Sequence, residues 1–326
     1  MTRLTYILAA SHSGSTLLSM LLGSHPQLAT VGELTLSPQA MGDLARYRCS
    51  CGSPIRECRF WQEVTEGMRR RGVAFDLAQA GTDYREVESR YARRLLQPMY
   101  RGRGLEALRD GALWLCPTWR KRLPDMHKRN SALVSTVAQI TGADAVVDSS
   151  KIALRLKYLL RNPDLEVKVI RLVRDGRAVA LTYMDPAGFA DAQDPSRRAG
   201  GMGGSREKER LSMVQAAYEW RRCIEEAEHL LKCLPRSQWF EVRYEAYCAA
   251  PAVTLAQLHR FLGVEPDRQP KDFRSVSQHV VGNGMRLDTT SKVRLDERWR
   301  SVLTQEELTI FNAMAGETNA RYGYRP

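Results

Sequence analysis

The sequence predicts an α/β fold in which a parallel β-sheet lies between two layers of helices. An apolar, β-prone segment at residues 4–10 leads into a turn rich in Ser and Gly and then into a helix. A second β-prone segment, residues 167–173, also turns directly into a helix. Strands that alternate with helices in this way form parallel sheets through crossover connections, so we expect three layers.

The first part of the chain contains one strand, one helix and a long segment without strand character. Residues 4–10 predict a buried strand because they are continuously apolar. The turn at Ser11–Ser15 precedes a helix over residues 16–22, which Gly23 and Pro26 end. Residues 36–141 show helical periodicity and many charges, so we interpret them as a mainly helical insertion.

Strand character returns after the insertion. Residues 145–147 are β-prone, and Asp148–Ser150 are predicted to cap a helix over 152–160. Residues 167–173 give the strongest strand prediction of the chain. The remaining predicted elements are, in order, helices over 178–183 and 207–234, a strand over 239–242, and helices over 251–262 and 296–322.

The composition is that of a globular protein with excess positive charge. The 326 residues carry a formal net charge of +12, with 43% hydrophobic and 26% charged residues. No apolar run reaches the roughly 18 residues of a membrane span, and residues 4–10 are too short for a signal peptide, so we expect a cytoplasmic protein. The charge indicates an arginine-rich solvated surface or an anionic ligand. Nucleic acid is the weaker alternative because no nucleic-acid-binding motif is present.

Three of the seven cysteines, Cys49, Cys51 and Cys58, lie close together in RCSCGSPIRECRFW. A closed zinc site needs four ligands, and the segment offers only three thiols. The sequence therefore favours free thiols and predicts no metal. A zinc site completed by a distant Cys or His and a local disulfide stay open as alternatives.

The first motif, SHSGSTLL, places Ser13–Thr16 between the first strand and its helix. A strand–turn–helix unit aims backbone N–H groups and the positive end of the helix dipole at one point. Gly14 allows a ligand to approach the backbone closely. A nucleotide-hydrolysing P-loop ends in Gly-Lys-Ser/Thr, whereas Ser15 occupies the lysine position here. The motif therefore predicts an anion-binding loop and disfavours an ATPase or an ordinary kinase.

The second motif, VIRLVRDGRAVALTYM, follows the strongest predicted strand. Arg174 stands at the carboxyl end of that strand, where ligand sites of α/β proteins form. Thr182 lies eight residues further on. An arginine and a hydroxyl that converge there would suit a second phosphate.

These motifs carry a resemblance to a known superfamily. SHSGSTLL followed by HPQLATVGE is similar to the 5′-phosphosulfate loop of sulfotransferases that use PAPS (3′-phosphoadenosine 5′-phosphosulfate). LVRDGRAVALT resembles their 3′-phosphate motif, and RDGRA is especially similar to tyrosylprotein sulfotransferases. VRYEAYCAAPAVTLAQLHRFLGV resembles a late strand–helix unit of the superfamily. The resemblance does not include residues 36–141.

The resemblance implies one P-loop-like domain over residues 1–326. We expect the inserted residues 36–141 to form a cap on the acceptor side. It implies transfer of a sulfuryl group from PAPS to a hydroxyl or amine, release of PAP, and no need for a metal. The residues that it assigns to the donor are Ser11, His12, Ser13, Gly14, Ser15, Thr16, Arg174, Thr182 and, in a glycine-containing loop near the C-terminus, Asn283 and Arg286.

The resemblance also implies the catalytic residues. Glu33 matches the Gly-Glu pair of the family, in which the glutamate is the general base. Lys151 would stabilise charge on the bridging oxygen as PAP leaves. His12 departs from the family, which usually has Lys or Arg at that position. Histidine can donate to the sulfuryl group, but its charge depends on pH.

The acceptor stays open among small molecules, peptides, lipids and glycans, and no nucleic-acid partner is expected. Two other functions are kept as alternatives. A P-loop nucleotide kinase would require magnesium. A non-enzymatic polyanion-binding protein would show steep salt dependence and no requirement for Arg174 or Glu33.

Overall fold

The computed structural model describes residues 1–36, 42–97, 102–202 and 210–325. Its centre is a five-stranded sheet in the order β2-β3-β1-β4-β5, and all four neighbouring pairs of strands are parallel. The strands are β1 (Thr2–Ala9), β2 (Leu28–Gly32), β3 (Ala145–Lys151), β4 (Leu165–Val173) and β5 (Trp239–Arg243). The predicted α/β fold with a parallel sheet flanked by helices is confirmed.

The central strand β1 shows why helices cover both faces. Its residues alternate between two cores: Leu4, Tyr6 and Leu8 belong to one, and Ile7 and Ala9 belong to the other. All five are at most 5% exposed. Because successive side chains of a strand point to opposite faces, a strand that is apolar throughout must be buried on both.

The helices form the two outer layers. Those of six or more residues are α1 (Ser15–Gly23), α2 (Arg59–Arg70), α3 (Arg90–Leu95), α4 (Arg103–Leu115), α5 (Pro117–Thr141), α6 (Ala153–Leu159), α7 (Gly176–Met184), α8 (Met213–Leu231), α9 (Tyr244–Ala249), α10 (Pro251–Leu262) and α11 (Gln305–Arg321). Helices α1 and α10 cover one face of the sheet, and α5 and α6 cover the other. No helix of the described ranges is long and apolar enough to cross a membrane.

The segment between β2 and β3 contains α2 to α5, and the expectation of mainly helical structure holds for its described residues. Within it, residues 37–41 and 98–101 lie outside the described ranges. Helix α5 packs on the sheet, with Leu133, Val134 and Val137 in the same core as Leu4 and Tyr6. Its C-terminal half is therefore part of the outer layer. That the segment caps an acceptor cleft stays a prediction.

Two local predictions were wrong. The strand β2 was missed, although LATV is a short apolar run, because it follows the helix α1 after only four residues. The prediction that Asp148 caps a helix was also wrong. Strand β3 continues through Lys151, and the buried carboxylate of Asp148 binds Arg155 and backbone groups of neighbouring segments.

Candidate active site

The residues that the motifs single out follow four neighbouring strands. Glu33 comes after β2, Lys151 ends β3, the turn Ser11–Gly14 follows β1, and Arg174 follows β4. The carboxyl ends of parallel strands meet at one edge of the sheet. The fold therefore brings these four segments to a single edge, in the order in which the strands pair.

The chain leaves β1 and β4 in opposite directions. From β1 it passes toward β2 on one side, and from β4 it passes toward β5 on the other. The crevice at such a topological switch point is where open α/β sheets bind ligands. Here the Arg174 guanidinium spans the crevice and donates to the His12 carbonyl at 2.8 Å.

The turn after β1 requires glycine at residue 14 because two tyrosine side chains lie against its backbone. Gly14 has a φ of 85°, and a Cβ there would lie 2.3 Å from the Tyr247 hydroxyl and 2.7 Å from the ring of Tyr244. Tyr247 donates to the Gly14 carbonyl at 3.0 Å. Gly14 is the N-cap of α1 and provides no side-chain cap. The first N–H groups of a helix have no intrahelical acceptors, so this end of α1 is suited to an anion.

The side chains of the turn are largely buried. Ser13 is 1% exposed, and its hydroxyl has no hydrogen-bond partner among the described residues. Ser15 and Thr16 are also buried. A buried hydroxyl without a hydrogen-bond partner costs free energy, so the Ser13 hydroxyl is suited to bind a ligand.

Arg174 lies in a pocket of aromatic and acidic groups. Its guanidinium stacks over the Tyr244 ring at 4.3 Å and donates to the Asp296 carboxylate at 3.0 Å. Burial raises the pKa of Asp296, but hydrogen bonds from Arg298 and the charge of Arg174 outweigh it and hold the pKa at about 2. The Asp296 carboxylate is therefore charged and already accepts one of the hydrogen bonds that the Arg174 guanidinium can donate.

Two further residues predicted to bind the sulfuryl donor, Thr182 and His12, lie on or beside α7. Thr182 is buried, and its hydroxyl donates to the Ala178 carbonyl at 2.9 Å within the helix. The His12 ring packs edge-on against Tyr183, with 4.8 Å between the ring centroids. Burial raises the pKa of Tyr183 well above its ordinary value, and a hydrogen bond with Ser11 opposes this effect. Helix α7 therefore packs against the turn that follows β1.

Glu33 and Lys151 meet at the same edge. The Lys151 ammonium donates to the Glu33 carboxylate, and the two side chains are 14% and 25% exposed. Lys151 and His12 are two of the four described non-glycine residues with a left-handed φ, at 71° and 62°. Such conformations persist only where surrounding structure holds them, and they cluster at functional sites.

The sequence did not reveal the group that holds this ion pair in place. Asp148 accepts from the Leu34 amide at 3.2 Å, from the Ser150 amide at 2.9 Å and from Arg155 at 2.9 Å. Arg155 and Asp148 are both almost fully buried. Asp148 thus ties the residue after Glu33 to the residue before Lys151, and it is a positioning residue for both.

The loop of residues 279–286 also borders the site. The Val281 amide donates to the Val31 carbonyl at 2.9 Å, and Gly282 lies against the Glu33 side chain. A Cβ on Gly32 would lie 2.0 Å from the Val281 carbonyl oxygen, so the two segments can approach only because residue 32 is Gly. The loop thereby forms one wall beside Glu33.

Asn283 and Arg286 hold this loop. Arg286 is 1% exposed, and its guanidinium donates to the carbonyls of Gly282 and Gly200 at 2.6 and 3.3 Å and to that of Arg48. The Asn283 amide donates to the Ala190 carbonyl. Contact of either residue with a 3′-phosphate stays a prediction.

A cavity of about 740 Å³ lies elsewhere, between α4, α5 and α6. Trp114, Trp119 and Tyr158 line it, together with Pro163 and Asp164 directly before β4. Residues that precede a strand lie at the opposite edge of the sheet from residues that follow it. This cavity is therefore separate from the edge that carries Glu33 and Arg174.

A family profile described as "Sulfotransferase family" matches residues 5–268, which include β2 to β5, most of β1 and the four segments at the sheet edge. The chain belongs to the sulfotransferase family. The match confirms the resemblance that the two motifs carry. Residues 269–326, with Asn283, Arg286 and Asp296, lie beyond the matched range.

The individual proteins that the chain matches are distant in sequence. Human "Carbohydrate sulfotransferase 3" is 26% identical over 175 residues, which cover 52% of this chain and 36% of the human protein. The sulfotransferase domain from the curacin biosynthetic pathway is 16% identical with a TM-score of 0.47, and covers 100% of this chain and 99% of that one. The sulfotransferase domain of the Synechococcus PCC 7002 olefin synthase is 17% identical with a TM-score of 0.45, covering 96% and 94%.

Proposed function

We propose that this sulfotransferase moves the sulfuryl group of PAPS to a hydroxyl or amine acceptor and releases PAP. The observation that supports the proposal best is the arrangement at the switch point. An anion-binding turn and a buried arginine lie on either side of one crevice, and a carboxylate–ammonium pair lies beside them on the adjacent strands.

The residues present fit an anionic nucleotide at two positions. The turn offers helix N–H groups and the unpaired Ser13 hydroxyl, which would hold the 5′-phosphosulfate. Arg174 offers a second anion site, and its buried Nε has no partner among the described residues. We assign the 3′-phosphate to Arg174 with Thr182, and we assign Ser11 and the backbone of Ser15 and Thr16 to the 5′ side.

PAPS supplies an activated sulfuryl group. The residues of the chain accept a proton from the acceptor and stabilise the charge of the leaving group. Glu33 would take the proton of the acceptor hydroxyl as its oxygen forms a bond to sulfur, because a neutral hydroxyl is a poor nucleophile. Lys151 and His12 would donate to the oxygen that keeps the electron pair of the broken S–O bond. The contact with the Lys151 ammonium holds the Glu33 carboxylate in position before the acceptor arrives.

A carbohydrate hydroxyl is the first acceptor to examine, because the human relative is named a carbohydrate sulfotransferase. Peptides, lipids and small metabolites remain candidate acceptors. A cytoplasmic location is likewise part of the proposal, and fractionation of native cells tests it.

The test is incubation of the purified protein with labelled PAPS and fractionated cell extract, in buffer without magnesium, followed by mass identification of the product. We expect a product heavier by one sulfuryl group and an equal amount of PAP. Nucleotide-dependent phosphorylation that requires magnesium would point to a kinase instead. Salt-sensitive polyanion binding without any transfer would point to a binding protein.

A further inference from the structure

Four metal-binding side chains meet on the outer side of the loop of residues 279–286. They are Cys49, Cys51, Cys58 and His279, and their sulfur and nitrogen atoms all lie within 4.8 Å of one another. Cys49 and Cys58 are buried, His279 is half-buried and Cys51 is exposed. The chain thus brings a histidine from 221 residues away to the thiol that precedes α2.

Three of the six distances between the ligand atoms match those of a tetrahedral site. Bond lengths of about 2.3 Å to sulfur and about 2.0–2.1 Å to nitrogen place the ligand atoms of tetrahedral zinc roughly 3.5–3.8 Å apart. The Cys51 and Cys58 sulfurs are 3.7 Å apart, and Nδ1 of His279 lies 3.4 Å from Cys58 Sγ and 3.7 Å from Cys49 Sγ. Little rearrangement is needed for an ion to fit between them.

The backbone around the ligands is independently fixed. The Cys49 amide donates to the Ser53 carbonyl and the Gly52 amide donates to the Cys49 carbonyl, both at 2.9 Å. Ser50 joins this segment to the loop of His279: its amide donates to the Val280 carbonyl, and its hydroxyl accepts from the Val280 amide at 2.8 Å. The His279 ring lies parallel to Phe60, with 4.6 Å between the centroids. These contacts hold the ligands on both sides.

We propose that Cys49, Cys51, Cys58 and His279 form a structural zinc site. Three thiolates and one imidazole are a ligand set that selects zinc, and four protein ligands close the coordination sphere. On binding, the ion exchanges its water ligands for three sulfurs and Nδ1, and the three thiols release their protons to solvent. No position is left for substrate, so the ion takes no part in sulfuryl transfer.

The site would clamp the wall beside Glu33. Two residues after His279, the Val281 amide bonds to Val31, and Gly282 follows against the Glu33 side chain. Tyr47, two residues before Cys49, donates to the Gly282 carbonyl at 3.1 Å. Zinc would therefore cross-link the segment after β2 to the loop that positions the proposed base.

Metal analysis of tag-free protein, purified without chelators, tests the proposal. We expect about one equivalent of zinc per chain, as for a closed four-ligand site. His279→Ala should lose most of this zinc, whereas His279→Cys should retain it because four thiolates also form a structural site. Cys233→Ser is the matched control, since Cys233 is exposed and lies outside the cluster.

A wild-type protein without zinc, or with a Cys51–Cys58 disulfide in its place, would overturn the proposal. Zinc that survives in His279→Ala would remove His279 from the ligand set. If a variant fails to fold, titration of the wild type with a mercurial reagent replaces it: modification of the cysteines should release one zinc per chain into a colorimetric indicator.

The clamp is tested separately by hydrogen exchange of the wild-type protein before and after zinc removal. The amides of Val280, Val281 and Gly282 should lose protection, because their hydrogen bonds join the two segments that the ion links. The amides of β1 should keep theirs. Unchanged protection of the loop would show that zinc binds there without holding the wall.

Discussion

The site lies between two walls that are built in different ways. The first, which we call the nest wall, consists of Ser11–Thr16 and Arg174 and follows directly from the central strands β1 and β4. The second, which we call the loop wall, consists of residues 47–58 and 279–286. Strand pairing on both sides supports the nest wall, whereas side chains such as Tyr47, Ser50 and Arg286 hold the loop wall.

The difference decides how each wall responds to change. A strand in the middle of a sheet is held by many backbone hydrogen bonds, so loss of one side chain alters binding at the nest wall without displacing it. The loop wall has few backbone bonds to the sheet, and loss of one side chain can move it. Glu33 depends on both the sheet and the loop wall, because it follows strand β2 and also contacts Gly282.

The largest expected effect is on turnover, without a change in nucleotide binding. Glu33→Gln keeps the shape of the side chain and removes its ability to accept a proton. Turnover should fall roughly 10²–10⁴-fold, the usual contribution of general acid–base catalysis. PAP affinity, measured by calorimetry, should change little, because the proposed anion sites lie in the nest wall.

Glu63→Gln is the control for that experiment, since Glu63 is a half-exposed surface residue of α2. It should keep wild-type turnover. If Glu33→Gln also keeps full turnover with the natural acceptor, another group is the base and the assignment of Glu33 is wrong. If it loses PAP affinity instead, Glu33 acts by holding the two walls together.

The nest wall could be predicted from the sequence because its signals are local. Residues 4–10 and 167–173 are β-prone, and the turns that follow them stand at strand ends, so their residues must share one edge of a parallel sheet. The position of Arg174 needs no knowledge of distant segments. Glu33 required the family resemblance, because the short strand before it was not recognised.

The loop wall could not be predicted in this way because its contacts are long-range. His279 meets Cys49 across 230 residues, and Gly282 meets Tyr47 across 235. No spacing rule connects such pairs. Asp148 was misread for a related reason: an Asp before a helix is typical of a cap, and only tertiary structure shows Arg155 and Leu34 as its partners.

The next largest effect concerns binding at the nest wall. Arg174→Ala should weaken PAP binding by about 1.5–3 kcal/mol, the range for hydrogen bonds to charged groups. This corresponds to a loss of roughly 10- to 150-fold in calorimetry. The free energy of unfolding should change less than the free energy of PAP binding, since β4 keeps its pairing on both sides.

Arg300→Ala is the matched control, because the Arg300 side chain is 62% exposed and pairs with Glu297 at the surface. An Arg174→Ala protein with unchanged PAP affinity would remove Arg174 from the donor site. The proposed 3′-phosphate position would then have to be sought elsewhere.

The loop wall should show the opposite pattern. The Tyr47 hydroxyl bonds both the amide and the carbonyl of Gly282, and Tyr47→Phe leaves these two groups without that partner. We expect a loss of about 1–3 kcal/mol in the free energy of unfolding, with little change in PAP affinity. Urea denaturation measures the first, and Tyr218→Phe, at a 47% exposed residue, is the control. A loss of affinity without a loss of stability would contradict the distinction between the walls.

The smallest effect is a gain of binding. Asp296 pairs with Arg174 at 3.0 Å, so its carboxylate and an incoming phosphate compete for one guanidinium. Asp296→Asn keeps the shape and removes the negative charge. PAP affinity should rise by about 0.5–1 kcal/mol, or roughly two- to fivefold, and more at low salt than at high salt. Asp267→Asn removes the same charge at an exposed site and should leave affinity unchanged.

The same variant has a pH dependence of stability that follows from the pKa of Asp296. In the folded protein this pKa is about 2, below the ordinary 3.8, so ionised Asp296 stabilises the fold above pH 4. That contribution is lost as the pH falls from 4 toward 2. Asp296→Asn should therefore melt at a lower temperature than the wild type at pH 7, and the difference should shrink below pH 4. A pH-independent difference would mean that the amide disturbs packing, and the gain in PAP affinity could then not be attributed to charge.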